Sequence, residues 1–197
     1  MKRRNFLHTS GILASSLLLQ SEIAKAFKLA NNKLRIGIIG CGDRGTGLMR
    51  TLHSLPDLFQ VTAICDVLDF RLEHAKKIAN DKAVESYTDY QQLLKSKKVD
   101  AVIIAVTLSE HFKVAKAALQ NNKHIYLEKA MTYNIPQALE LVELKKKHPQ
   151  QILQVGHQYR YTPLYFKVKE MIQKGYLGKV TQIDCRWDRN STWRRPV

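Results

Sequence analysis

At 197 residues, 45% apolar and 25% charged, the chain is long enough to bury a full core, and its composition excludes fibrous and disordered classes. The formal charge of +15 raises nucleic acid as a partner. The lysines, however, are spread along expected helices (Lys76, Lys77, Lys95, Lys97, Lys98, Lys145 to Lys147) with no interleaved aromatics or reading motif, so solvated helix faces account for them and no nucleic-acid partner is expected.

Residues 1–26 read as an export signal. Lys2-Arg3-Arg4 is its charged start, Gly11 to Leu19 a short apolar core, and Ala24-Lys25-Ala26 a small-x-small cleavage site. The run Arg3-Arg4-Asn5-Phe6-Leu7-His8 resembles a twin-arginine signal, the route that exports proteins already folded. A general secretory signal or an uncleaved amphipathic terminus are the alternatives. The apolar core is too short to span a bilayer, so no stable membrane anchor is expected, and the protein is expected to be periplasmic or otherwise exported.

Leu34 to Ile39 is an apolar run of the kind that forms a strand buried on both faces. It leads into Gly40-Cys41-Gly42-Asp43-Arg44-Gly45, the spacing G-x-G-x-x-G, and then into Leu48, Met49 and Leu52 at helical spacing from about Arg44. Gly40 permits a tight turn, Gly42 lets backbone approach a pyrophosphate, and Gly45 lets helix pack on strand. The helix start adds its N–H groups and dipole. A second apolar run, Phe59 to Cys65, ends on Asp66, an acid placed to accept hydrogen bonds from the adenosine ribose; the alternative for Asp66 is a cap or turn residue. Strand, glycines, helix, strand and acid in that order give a dinucleotide site. A carboxylate there repels a 2′-phosphate and favours NAD over NADP, a preference that Arg71 softens. Cys41 and Cys65 fall near each other at the strand ends and are assigned to packing. Three cysteines make no disulfide framework, and no Cys/His cluster has zinc-ligand spacing, so no metal is expected.

Phe70, Leu72, Ala75, Ile78 and Ala79 mark the next helix, Val84 to Tyr87 a short strand, and Asp89 the N-cap of a helix carrying Leu93 and Leu94. Asp100 to Val106 is too apolar for a sheet edge and implies helices on both faces. Thr107, Ser109 and His111 follow its carboxyl end, where ligands bind in open α/β sheets; Ser109 serves equally as a helix cap. Lys123 to Leu127 is a fifth strand, ending in Glu128-Lys129-Ala130, and Asn134 and Pro136 open a helix to about His148. Ile152 to Gly156 is a sixth strand, and Thr162-Pro163 opens a helix that Gly175 stops. The pattern is that of a doubly wound parallel sheet, a Rossmann-type α/β fold, over residues 33–160. From Val180 to Trp187 the residues alternate, which predicts a half-exposed strand opening a second, α+β domain within 161–197. The chain is therefore expected to be the amino-terminal half of a longer protein.

These residues resemble the glucose-fructose oxidoreductase and inositol dehydrogenase family, Gfo/Idh/MocA, especially its exported bacterial members. The glycine loop, Val99 to Ile104 with His111, and Lys123-His124-Ile125-Tyr126-Leu127-Glu128-Lys129 carry the likeness; Gly156-His157-Gln158-Tyr159-Arg160-Tyr161 and Gly175 to Val180 continue it. The resemblance implies a nicotinamide cofactor, a carbohydrate substrate and a homo-oligomer for the full-length form. It places Lys129 beside nicotinamide and substrate, moving the hydroxyl proton, with Ala130 where the family usually has proline. A lysine at the sheet's carboxyl edge, next to Glu128 and near a pyridinium, is also chemically suited to proton exchange. His157 and Gln158 fall on the nicotinamide side, His157 either as a catalytic residue or in a core or capping role. The implied activity is NAD(H)-dependent oxidation or reduction of a sugar or polyol. NAD-dependent glycoside cleavage, or a cofactor-binding remnant without catalysis, are the alternatives.

Overall fold

A computed structural model describes residues 33–186 and Asp188. The expected signal segment and Trp187, the last residue of the expected strand, lie outside the described residues. The chain divides into two units, one ending at Gly156 and one beginning at His157, so the first unit closes with the last strand of its sheet rather than at residue 160.

In the first unit six parallel strands form one sheet in the order β3-β2-β1-β4-β5-β6. The strands are β1 Leu34–Ile39, β2 Phe59–Cys65, β3 Glu85–Tyr87, β4 Ala101–Ile104, β5 His124–Glu128 and β6 Leu153–Gly156. The helices are α1 Asp43–His53, α2 Asp69–Ala79, α3 Tyr90–Lys95, α4 His111–Gln120 and α5 Ile135–Lys147. The strand order reverses between β1 and β4, so the loops that leave these two strands part to opposite sides and open a crevice at their carboxyl ends.

The apolar runs of β1 and β4 are explained by burial on both faces. Ile36, Ile38, Ala101 and Ile103 pack under α1 and α2 with Met49, Leu72 and Ala75. Ile39, Val102 and Ile104 pack on the other face with Leu94, Val114, Ala118 and Leu141. Alternate residues of one strand thus feed two cores, and neither face tolerates a polar side chain. Gly37 belongs to the same logic, because a Cβ there would lie 2.8 Å from Leu93 Cδ2.

Local chemistry sets the ends of the elements. Asp89 caps α3 by accepting the Gln91 N–H at 2.8 Å, and Asn134 caps α5 by accepting the Gln137 N–H at 3.0 Å. Asn80, at φ +49°, closes α2 in the left-handed conformation. The amino ends of β1 and β4 are tied by charge: Asp100 accepts from Arg35 Nε at 2.8 Å, Nη2 at 2.6 Å and the Arg35 N–H at 3.1 Å. Lys123, buried beside them, donates to the Ser96 and Val99 carbonyl oxygens at 2.8 and 2.6 Å, and burial lowers its pKa.

The second unit contains helix α6, Pro163–Gln173, opened by Thr162 and Pro163 and followed by Gly175 at φ +74°. Leu164, Phe166 and Ile172 on this helix are exposed. The strand expected over Val180–Trp187 is not formed: residues 180–186 are irregular. Alternation creates a face but supplies no ladder, and no neighbouring strand among the described residues pairs with this segment.

The Arg35–Asp100 pair generates a pH test. Its hydrogen bonds hold the Asp100 carboxyl below the ordinary aspartate value of 3.8. The pair's stabilisation is therefore present above that value and is lost as pH falls below it through the folded-state pKa. Because both side chains are partly exposed, Asp100→Asn should cost about 1 kcal/mol at pH 7. Urea unfolding should show the difference from wild type shrinking toward pH 3.

Candidate functional site

The three glycines of the turn after β1 serve different constraints. Gly40 has φ +93°, and a Cβ there would lie 2.5 Å from the Ala105 carbonyl oxygen, so conformation and space both demand glycine. At Gly45, inside α1, a Cβ would come within 1.8 Å of the Gly40 carbonyl oxygen. Gly42 has φ −70°, which any residue adopts, and the nearest neighbours of an added Cβ would be Arg71 guanidinium atoms at 3.9 Å. The protein's own packing does not require glycine at 42. What the missing side chain leaves is a bare stretch of backbone, at the start of a helix whose N-cap, Gly42 itself, has no side chain to satisfy the first turn. A phosphate group fits that cradle, since helix-start N–H groups and the dipole favour an anion there.

Asp66, at the carboxyl end of β2, is buried and turned toward this cradle. Its Oδ2 accepts the Cys41 N–H at 2.7 Å and its Oδ1 accepts the Leu68 N–H at 3.0 Å. It is thus a turn residue and a strut for the glycine loop at once. Arg71 Nη1 stands 3.9 Å from Asp66 Oδ2, with its guanidinium over Gly42 and nearly half exposed. The Cys41 thiol donates to the Cys65 carbonyl at 3.5 Å. Burial pushes both thiols up to about 12, so they stay protonated and act as packing groups.

Across the crevice, Glu128 at the end of β5 is buried. Its Oε1 accepts from Arg44 Nε at 2.8 Å and Nη2 at 2.6 Å, and its Oε2 accepts the Lys129 N–H at 3.2 Å. Glu128 therefore engages the backbone of Lys129 and the side chain of Arg44. Lys129 itself is exposed at the sheet's carboxyl edge, and the bond to Ala130 is cis. His111 is buried, its ring spanning the Ala130 carbonyl oxygen, 2.8 Å from Nδ1, and the Val106 carbonyl oxygen, 3.2 Å from Nε2. It joins the loops that follow β4 and β5 and presents almost no surface to a ligand.

Thr107 and Ser109 are exposed at the end of β4, in and beside the 3-10 turn Leu108–Glu110. Ser109 does not cap α4: that helix starts at His111 with Glu110 at the N-cap and no side-chain cap, because the intervening turn moves the start two residues on. Asp43 and Arg44 are exposed in the first turn of α1. His157, Gln158 and Arg160 belong to the second unit, where each is exposed and the Arg160 N–H donates to the His157 carbonyl oxygen at 3.0 Å.

The sequence reading missed Tyr126. Its hydroxyl lies 3.5 Å from Glu128 Oε1, and a Cβ at Gly156 would come within 2.5 Å of it, so Gly156 makes room for both. The signal was available, since residues two apart on a strand share a face. Burial, and then the nearby Glu128 charge, raise the pKa of Tyr126.

The chain matches the Gfo/Idh/MocA family, an oxidoreductase family with an NAD-binding Rossmann fold, over residues 34–157. It is 30% identical over 161 residues to an inositol 2-dehydrogenase of Salmonella paratyphi B, covering 81% of this chain and 47% of that protein. It is 29% identical over 152 residues to an inositol 2-dehydrogenase/D-chiro-inositol 3-dehydrogenase of Lactiplantibacillus plantarum, covering 77% and 43%. The crystal structure of scyllo-inositol dehydrogenase from Lactobacillus casei, solved with NAD(H) and scyllo-inositol, superposes with a TM-score of 0.70 at 24% identity, covering 76% of this chain and 44% of that one. That likeness is one of fold. The chain spans just under half the length of the curated relatives it matches.

The contrast between the glycines can be measured. Gly42→Ala should leave thermal stability within about 1 kcal/mol of wild type, whereas Gly45→Ala should cost at least about 3 kcal/mol or prevent folding. For the cysteines, a thiol reagent at pH 8 should label exposed Cys185 in the folded protein and reach Cys41 and Cys65 only after denaturation. Mass spectrometry of the labelled peptides checks it.

Proposed function

Because the chain belongs to the Gfo/Idh/MocA oxidoreductase family, we propose that it serves as the cofactor-binding part of an NAD-dependent oxidoreductase acting on a polyol or sugar, with cyclitols of the inositol type as the first class to test. The observation that carries this reading is Gly42: a side chain would fit its backbone, yet none is present where an open helix start meets a buried acid. The names of the 30% and 29% identical relatives support the substrate class.

In this reading the glycine turn and the start of α1 hold the diphosphate, while Asp66, fixed by the Cys41 amide, faces the adenosine ribose. Bound NAD supplies a nicotinamide ring able to accept or return a hydride. Lys129 works at the substrate side, taking the proton of the hydroxyl that becomes a carbonyl and returning it in the reverse direction. His157 and Gln158 keep the nicotinamide-side role on the strength of the family resemblance. The Arg3-Arg4 start supports export in folded form, with the cofactor taken up beforehand and kept bound.

NAD at about a hundred times its Kd should stabilise the purified protein by about 2.7 kcal/mol, read as a rise in Tm of several degrees. NADP should give a smaller rise and Gly42→Ala none. In the full-length gene product Lys129→Met should keep the NAD-dependent rise while losing at least about a hundredfold in NADH formation with myo-inositol. A wild-type protein with no NAD-dependent rise would contradict the proposal.

A further inference from the structure

Resting on the NAD reading, we infer that Arg44 promotes cofactor binding through Glu128: it neutralises a buried carboxylate that would otherwise oppose the diphosphate.

Glu128 is only 5% exposed and ends β5 at the crevice between the glycine turn and the Lys129 loop. An ionised carboxylate in such a place needs a charged partner. Its cation partner among the described residues is Arg44, which reaches across from the first turn of α1 and directs both Nε and Nη2 at the same oxygen, Oε1. The other oxygen is taken by the Lys129 N–H, and Tyr126 stands beside Oε1. The Nε and Nη2 edge of the guanidinium is thus turned toward Glu128, while the Arg44 side chain stays nearly half exposed. A second carboxylate, Asp66, flanks the cradle from the other side with Arg71 near it.

The charges sort accordingly. The two buried acids that border the place where a diphosphate is expected each have a guanidinium beside them, while a third acid, Asp43, is exposed in the first turn of α1. Attraction for the anion then comes from the amides and dipole of the helix start, with Arg71 close by over Gly42, and an unbalanced carboxylate beside them would weaken it. Glu128 gives the loop of Lys129 its anchor, and Arg44 makes that anchor tolerable to a bound anion. This differs from an arginine that grips phosphate directly, because its effect depends on Glu128 being present and charged.

The test is a double-mutant cycle on the full chain, with NAD and ADP-ribose titrated calorimetrically and folding checked by circular dichroism. Arg44→Ala should weaken both ligands about tenfold or more, the size of a coupled contact. Glu128→Gln should bind within about threefold of wild type or more tightly. The double variant should recover to within about threefold of Glu128→Gln. Arg44→Lys, which keeps the charge without the fork, should lose less than about fivefold and serves as the second probe if Arg44→Ala does not fold. A double variant as weak as Arg44→Ala overturns the inference and makes Arg44 a direct phosphate ligand. A Glu128→Gln variant as weak as Arg44→Ala overturns it too and leaves the pair a structural tie. If wild type binds neither ligand, the NAD reading itself falls, an outcome distinct from either.

Discussion

The bond on which the site depends is the one between the Cys41 amide and the Asp66 carboxylate, 2.7 Å long and buried. It joins the turn after β1 to the end of β2, and it fixes the glycine loop at the seam where the strand order changes direction. A charge-assisted hydrogen bond in such surroundings is stronger than a neutral one and costly to leave unmade. With the loop held there, Gly40 can turn under the Ala105 carbonyl and Gly45 can close on Gly40, which together aim the start of α1 at the crevice. The acid that sequence reading assigns to a ribose is therefore also a structural member of the loop. These roles do not compete, since a carboxylate has more lone-pair directions than the two amides use.

The same economy recurs on the other side of the crevice. Glu128 carries the Lys129 backbone on one oxygen and Arg44 on the other, and His111 ties the Ala130 carbonyl, one residue on, to the loop after β4. The loop bearing Lys129 is consequently held from the glycine turn and from β4 at once, while Lys129 itself stays exposed. Bringing four loops together at one sheet edge is what a doubly wound sheet does for chemistry, and here side-chain-to-backbone bonds make that edge definite.

Much of this was legible in the chain. Periodicity placed Leu34–Ile39 and Phe59–Cys65 without error and the other four strands of the sheet within a residue or two, because strands buried on both faces leave long apolar runs. Asp89 and Asn134 announced their helices because capping is local chemistry. Ser109 misled because a serine ahead of an apolar helix looks like a cap whether or not a tight turn intervenes. Residues 180–186 misled for a different reason: alternation reports a face, while a strand exists only with a partner. The Arg44–Glu128 pair and the His111 bridge were beyond reach, since they connect positions 84 and 19 residues apart through tertiary contact.

The central claim is that a cofactor diphosphate lies on the backbone at Gly42, against the carboxylate of Asp66. Amide chemical-shift mapping of the 15N-labelled protein during an NAD titration tests it most directly. The account predicts the largest shifts at Gly40 to Gly45 and Asp66, with saturation at a single binding constant. Largest shifts elsewhere, with the glycine turn unmoved at saturating NAD, would contradict it.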